Sequence, residues 1–263
     1  MDIGSIWDLI ILQPVTNVLI TLAHVLFGSF GLAIIVITIF FNLLLYPMTL
    51  KQMKATKATQ DLQPKLAELR KKYGKDAQRM AQEQMKLYKE SGVSPAGCLL
   101  PMFIQTPIWI ALYQAIIRVM AASPESFVDL SGYLYSWPVV YNALPLNNNF
   151  LWFNLASPDM LLALMVGIAM WVQQKMTAPL ASDPQTQAQT QTMQIMMPVM
   201  FVFLSMTFPS GLALYWVVSN IFRIAAQYFY SGWGGLATTV ENLRDRISPG
   251  KKGKAPRQKY IKK

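Results

Sequence analysis

The sequence predicts an all-α polytopic membrane bundle of five spans, with a cytosolic αα-hairpin and an N-terminal interfacial amphipathic helix. Three observations lead there. Five stretches are free, or nearly free, of charge over the ~20 residues that a hydrocarbon core of about 30 Å demands. The basic residues are segregated into alternate connecting segments. One of those segments is a polar run of helix formers with a glycine in its middle. Composition agrees: charged residues make up 14% of the chain, well below the roughly 25% of a soluble domain. The 53% that are hydrophobic lie in long runs with no polar stripe at each turn.

Within the first unit, 1–30, residues 5–28 are apolar but interrupted by Asp8, Gln13, Pro14, Asn17 and His24. Pro14 suits the first turn of a helix and would break one running through it. From Pro14 onward, Val15, Val18, Leu19, Leu22, Val25 and Leu26 recur at helical spacing. This predicts an amphipathic helix in the outer interface, with 28–31 as the bend into span 1, residues 31–49. The competing reading is a sixth span, which would reverse the N-terminus and leave the rest unchanged.

Residues 50–94 form the predicted hairpin. Pro64 divides or kinks its first arm, Gly74 makes the turn, and Gly92 and Pro95 end the second arm, 75–90. Its apolar stripe is thin (Met53, Leu62, Leu66 and Leu69, then Met80, Met85 and Leu87), so the arms should pack weakly and move. Span 2 covers 95–119. The external loop 120–158 is neutral to acidic, and Tyr133, Tyr135, Trp137, Tyr141 and Trp152 give it an interfacial aromatic belt. Span 3 (159–178), a short Gln/Thr-rich cytosolic loop (179–190), span 4 (191–208), span 5 (209–230) and a basic tail (231–263) complete the chain.

Charge sets the orientation. Of 23 Lys and Arg residues, 11 lie in 51–89 and nine in 244–263, while none lies in the first 50 residues or in 120–158. Basic residues resist translocation and favour the anionic inner leaflet. The N-terminus is therefore expected outside, with the hairpin, the 179–190 loop and the tail in the cytosol. Cys98, the single cysteine, excludes an intrachain disulfide and a multi-cysteine metal site, and reads as a packing residue. No basic n-region of a cleavable signal peptide is visible.

The spans lack the groups that catalysis or ion coupling needs. No Asp, Glu, His, Lys or Arg is expected in mid-span; Asp159, Lys175 and Arg223 are placed toward ends. Proton and sodium relays use intramembrane carboxylates, and hydrolysis needs a base beside a nucleophile. An enzyme, a metal site, a cofactor and a small-molecule substrate are not expected. Neutral polar residues are present instead. Thr38 and Asn42 share a helix face, and Asn42, Gln105, Gln173, Gln194 and Asn220 fall in the middle or cytosolic half of the bilayer. Amides in bare hydrocarbon cost several kcal/mol, so a hydrated groove open to the cytosol and closed outside accounts for their distribution. The plainer reading is that each amide bonds neighbouring helices.

Several ordered motifs now carry a resemblance. They are Tyr46-Pro47 and Leu62-Gln63-Pro64-Lys65 at the hairpin, and Gly97-Cys98-Leu99-Leu100-Pro101 to Gln105-Thr106-Pro107 with Ala111-Leu112-Tyr113 on span 2. Gln173-Gln174-Lys175-Met176 ends span 3. Met197-Pro198-Val199-Met200-Phe201, Phe208-Pro209-Ser210-Gly211-Leu212-Ala213-Leu214-Tyr215-Trp216 and Ser219-Asn220 occupy spans 4 and 5. Over about 13–230 the chain resembles the YidC/Oxa-type membrane protein insertases.

The resemblance implies a non-enzymatic insertase and chaperone. Its hydrophilic groove would open to cytosol and lipid and receive client polar segments, while client helices leave past spans 1 and 5. Thr38, Asn42, Gln105, Gln173, Trp216, Ser219 and Asn220 would line the groove, and Pro209, Ser210 and Gly211 would make the external turn. Partners would be nascent membrane protein clients and membrane lipids, with a Sec-type translocon and the ribosome. The tail residues Lys251, Lys252, Lys254, Arg257, Lys259, Lys262 and Lys263 would touch ribosomal RNA phosphates or anionic lipid. A bacterial plasma membrane is the expected location, with an organelle inner or thylakoid membrane as the alternative. One departure stands out. The family pattern typically has a basic residue, often Arg, five positions before the proline of Tyr-Pro, and here that position is Asn42. The expectation is a groove that is wet but without charge selectivity. A passive channel or small-solute transporter is the alternative, and it would need a path open on both faces.

Overall fold

The computed structural model describes residues 3–74, 76–92, 100–120, 124–178, 184–234 and 236, and these are almost entirely helical. Cys98 and the basic tail 251–263 lie outside the described residues.

The chain begins with α1 (Ile3–Trp7), a π-helical turn (Asp8–Leu12) and α2 (Gln13–Val25), running on as one helix. The expected start at Pro14 is therefore corrected. A proline lacks the N–H its preceding turn would use, and the wider π turn just before it absorbs the defect without ending the helix. Two of the polar residues that interrupt this segment, Asp8 and Asn17, are anchors, together with Trp7. Tyr133 Oη donates to Asp8 Oδ2 at 3.2 Å and Trp7 Nε1 donates to Gln114 Oε1 at 2.8 Å. Fully buried Asn17 donates through Nδ2 to the Tyr133 carbonyl at 2.7 Å and accepts from the Tyr135 N–H at 2.8 Å. Three of these four contacts go to Tyr133 and Tyr135 in 120–158, the segment whose charge assigns it to the exterior, and the fourth goes to Gln114 on the preceding span.

At the bend, Phe27 and Gly28 take φ of 59° and 76°, and the Ser29 side chain caps the next helix by accepting from the Leu32 N–H. α3 (Phe30–Leu44) then breaks at Leu45, and α4 (Tyr46–Asp61) leaves at 61° to it. The helix expected to reach residue 49 stops five residues sooner because Pro47 has no N–H to offer the Leu43 carbonyl. α5 (Gln63–Tyr73) opens with Pro64 in its first turn, and α6 (Ala77–Glu90) is capped by Asp76, whose Oδ1 accepts from the Arg79 N–H at 3.0 Å. In α4–α6 only Met53, Leu62 and Leu66 are buried, and α6 buries nothing. The hairpin has almost no core of its own.

α7 (Leu100–Met120), α10 (Met160–Thr177), α11 (Pro184–Ser205) and α12 (Ser210–Ser231) complete the bundle, with α8 (Pro124–Ser131), α9 (Pro138–Asn142) and a two-residue hairpin, β1 (Asn149–Phe150) with β2 (Phe153–Asn154), between α7 and α10. The loop expected over 179–190 is helical from Pro184 onward, where proline sits in an opening turn. α12 is the centre of the bundle, packed on α10 and α3. Gly167 lets α10 approach α11, because a Cβ there would lie 2.4 Å from Val202 Cγ2. The shared core runs through Leu19, Ile34, Ile116, Leu155 and Leu212.

By length and composition Gly4–Val25 and Met160–Thr177 suffice to cross a membrane, and the bent pair α3–α4 makes a third if it is one broken span. Large apolar side chains stay exposed on α3 (Phe40, Leu43, Leu44), α10 (Leu161, Ile168) and α11 (Ile195, Met196, Phe203). Such faces suit lipid rather than water.

Candidate functional site

The site begins as a polar stripe on α12. Tyr215, Ser219, Arg223 and Gln227 recur every fourth residue and so share one face of an otherwise apolar helix. Facing it, α4 presents Thr49, Gln52, Met53 and Thr56 at matching helical spacing, and α10 ends in Gln173 and Thr177. Between these three helices lies a cleft of about 170 Å³, roomy enough for several waters, lined also by Arg223 and Gln227. A smaller hollow beside it adds Asn42, Gln105 and Leu45, with Arg223 again in the wall.

Hydrogen bonds tie the polar residues into two neighbouring groups. Thr38 Oγ1 donates back to the Ile34 carbonyl at 2.6 Å, and Asn42 Nδ2 donates to the Thr38 carbonyl at 2.8 Å and to Ser219 Oγ at 3.3 Å. Ser219 lies one helical turn beyond Tyr215 on the same face of α12. The Tyr215 hydroxyl accepts from Gln105 Nε2, and Gln105 Oε1 in turn accepts from Arg223 Nη2 at 3.2 Å. At the cleft's edge Gln60 Nε2 donates to the Thr177 carbonyl, tying the first arm of the hairpin to α10.

The other end of the bundle is filled by aromatic rings. Trp109 stacks on Tyr113 and Trp216 with centroids 6.2 and 6.1 Å apart, Phe208 meets all three edge-on, and Phe201 closes on Trp216 at 5.3 Å. Just beyond, the Pro209-Ser210-Gly211 turn docks on the segment before α10. Ser210 N–H and Gly211 N–H donate to the carbonyls of Ser157 and Leu155, each at 3.0 Å, and Ser210 Oγ donates to the Asn154 carbonyl at 2.6 Å. Gly211 sits among Ile116, Ile34 and Leu155, where a Cβ would be within 3.2–3.4 Å of each.

A profile of the 60Kd inner membrane protein family matches residues 22–233. The chain belongs to this YidC/Oxa-type family of membrane protein insertases. A YidC insertase of Oceanobacillus iheyensis is 40% identical over 229 residues, covering 84% of this chain and 81% of that protein. One from Alkalihalophilus pseudofirmus is 42% identical over 86% and 82%, and the insertase MisCA of Bacillus subtilis is 35% identical over 88% and 81%. The crystal structure of an active YidC insertase with its first transmembrane domain resolved aligns with a TM-score of 0.52 at 28% identity. The match covers 76% of this chain and 42% of that one. Members of this family are integral membrane proteins and are not enzymes.

Within this YidC-type frame the sequence-selected residues separate. Asn42 and Gln105 line the smaller hollow and Gln173 the wider cleft, while Thr38 and Ser219 line neither and join the site through their hydrogen bonds to Asn42. Trp216 belongs to the aromatic cluster instead. Asn220 donates to the Trp216 carbonyl at 2.8 Å and lines neither hollow, and buried Gln194 lines neither as well. Arg223, expected toward a span end, stands in mid-helix on the cleft wall. That corrects the expectation of a cleft without a cation. Its signal was in the sequence, as the third member of the four-residue stripe on α12.

Proposed function

We propose that this chain is a membrane protein insertase and chaperone with five spans, the N-terminus outside and the C-terminus in the cytosol of a bacterial plasma membrane. The polar part of a client enters the cleft between α4, α10 and α12, and the client's apolar helix passes into lipid along exposed faces such as that of α3. The observation that carries this reading is a hydroxyl- and amide-lined cleft on the hairpin side of an apolar bundle whose other end is filled by five aromatic rings. Moving a peptide group or a charge through hydrocarbon costs several kcal/mol or more. A wet cleft reaching into the bundle shortens the low-dielectric path, and no covalent step is needed. The packed aromatic end speaks against the two-sided path of a passive channel.

The N-terminal helix is long enough to span, yet three of its four polar contacts with other segments go to Tyr133 and Tyr135 in the loop 120–158, which supports its lying along the outer interface. The chain acts on small clients alone and on larger ones beside a Sec-type translocon, with the basic tail reaching ribosomal RNA or anionic lipid. The test is insertion of a small single-span client into liposomes holding only this protein, scored by protease protection. Protection well above empty liposomes is expected, and no gain would reduce the role to that of a translocon-dependent assembly factor.

A further inference from the structure

Among the described residues, only two that are not glycine take a positive φ, Phe27 at 59° and Leu151 at 54°. A Cβ makes this left-handed region costly, and turns that need it are normally given Gly, Asn or Asp. Here both positions carry bulky apolar side chains, and both point out of the fold, Phe27 98% and Leu151 74% exposed. Packing within the bundle therefore does not offset the strain. Strain kept in a fold without a packing reason points to a role outside it.

Both turns are firmly held and lie side by side. Gly28 N–H donates to the Ala23 carbonyl at 2.8 Å and Ser29 N–H to the Leu26 carbonyl at 3.0 Å, closing α2 around Phe27. Leu151 and Trp152 form the two-residue tip between β1 and β2, where Phe150 pairs with Phe153. Phe153 is buried, its ring meets Phe150 at 5.8 Å, and the Phe150 ring lies where a Cβ on Gly31 would be. A backbone bridge between Ser29 and Asn147 joins the two segments. The inward phenylalanines thus fasten the hairpin beside the start of α3, while Leu151 and half-exposed Trp152 stand outward near the Phe27 turn.

Two features say what covers these tips. No Lys, Arg, Asp or Glu occurs in 9–50 or 130–158, so neither turn carries a charge that would keep it in water. From the Phe27 turn the exposed apolar surface continues along α3 through Leu32, Val36 and Phe40, a face suited to lipid. An uncharged apolar tip that continues a lipid-facing surface and adjoins a tryptophan fits the boundary between headgroups and acyl chains. We propose that Phe27 and Leu151 are the two feet of an anchor seated in the outer leaflet, below the headgroups, at the outer end of α3. Pinned there, the two turns fix how deep α3 begins in the bilayer. This rests on the five-span topology proposed above, which puts both turns outside.

The experiment starts from Cys98→Ala, so that one introduced cysteine can carry a small fluorophore in vesicles of neutral phospholipid holding only this protein. Phe27→Cys and Leu151→Cys probe the two tips, and Lys71→Cys, exposed on α5, is the water reference. Val25→Cys and Trp152→Cys read the same turns with both strained residues left in place, in case the first pair disturbs them. Quenching at the tips should be strongest from lipid whose nitroxide lies ~5–10 Å below the headgroups, with little from iodide in the water. Lys71→Cys should respond to iodide alone. Quenching of the tips by iodide and not by nitroxide lipid would overturn the proposal, since the turns would then face water or await an external protein. Lipid contact at one turn only would overturn it too, because the anchor is built from both. Topology is read separately with a membrane-impermeant maleimide on sealed vesicles of cell membrane. Asn142→Cys, exposed at the end of α9, and Lys71→Cys should react from opposite sides. Reaction from the same side would defeat the five-span reading itself, whereas opposite sides with tips in water would defeat the anchor alone.

Discussion

Two adjacent residues on α2 should respond to substitution with opposite signs. Asn17 and Thr16 are both fully buried. Asn17 makes three hydrogen bonds, donating to the carbonyls of Gln13 and Tyr133 and accepting from the Tyr135 N–H, whereas the Thr16 hydroxyl has no partner. Asn17→Leu strands the Tyr133 carbonyl and the Tyr135 N–H, and each buried orphan costs about 1–3 kcal/mol. Allowing for some water access at this half-buried loop, the total is about 2–4 kcal/mol. Thr16→Val replaces an unbonded hydroxyl with a methyl of the same shape, which is neutral or gains up to about 1 kcal/mol. For a chain of this size 1 kcal/mol moves the unfolding midpoint by roughly 2–4 °C. Thermal unfolding in detergent, followed by circular dichroism, should therefore place Asn17→Leu roughly 4–16 °C below the parent and Thr16→Val at or slightly above it. A parent-like Asn17→Leu, or a Thr16→Val that falls as far, would refute the claim that hydrogen bonds to 133–135 hold the N-terminal helix in place.

Three further outcomes follow from the same contacts. Gly167→Leu puts a side chain where Val202 Cγ2 already lies 2.4 Å from the added Cβ, and the strain of parting α10 from α11 should lower stability by about 1–3 kcal/mol in the same assay. Trp109→Ala with Trp216→Ala removes the stacked centre of the aromatic cluster, so liposomes holding this variant should leak a small trapped dye faster than those holding the parent. An equal leak would mean that another layer makes the seal. Asn42→Leu breaks the bonds to Thr38 and Ser219 and should cut client insertion by about tenfold, the worth of roughly 1.4 kcal/mol. Unaltered insertion would make Asn42 a packing contact and nothing more.

Where periodicity and charge dominate, the sequence was easy to read. The hairpin is an example: Pro64 has no N–H for the preceding turn, Gly74 is costly to hold in a helix, and helix breaks fall at Leu62 and Gly74 accordingly. Its weak core followed from a stripe of few apolar residues. The misread boundaries all involve proline. Pro14 does not start the helix because a π turn before it accommodates the missing N–H, and Pro47 ends α3 sooner because its effect reaches back four residues. Pro184 begins a helix within what looked like a loop of Gln and Thr. At the site, Thr38, Asn42 and Ser219 were legible as polar residues in apolar runs. The pairing of Arg223 with Gln105, 118 residues apart, depends on how α7 meets α12, and no local pattern carries that. The α4 wall of the cleft was missed for a related reason. Thr49, Gln52 and Thr56 look like ordinary surface residues until the 61° bend turns their face toward α12.

The most direct test of the account is where a client's polar segment resides during insertion. A photo-activatable residue is placed at Gln173, on the cleft wall, or at Ile168, exposed on the outer face of α10. A stalled single-span client is then cross-linked in liposomes. The account predicts that the client's translocated polar tail couples to position 173 and not to 168. Coupling of that tail to 168 alone, with none at 173, would contradict passage through the cleft.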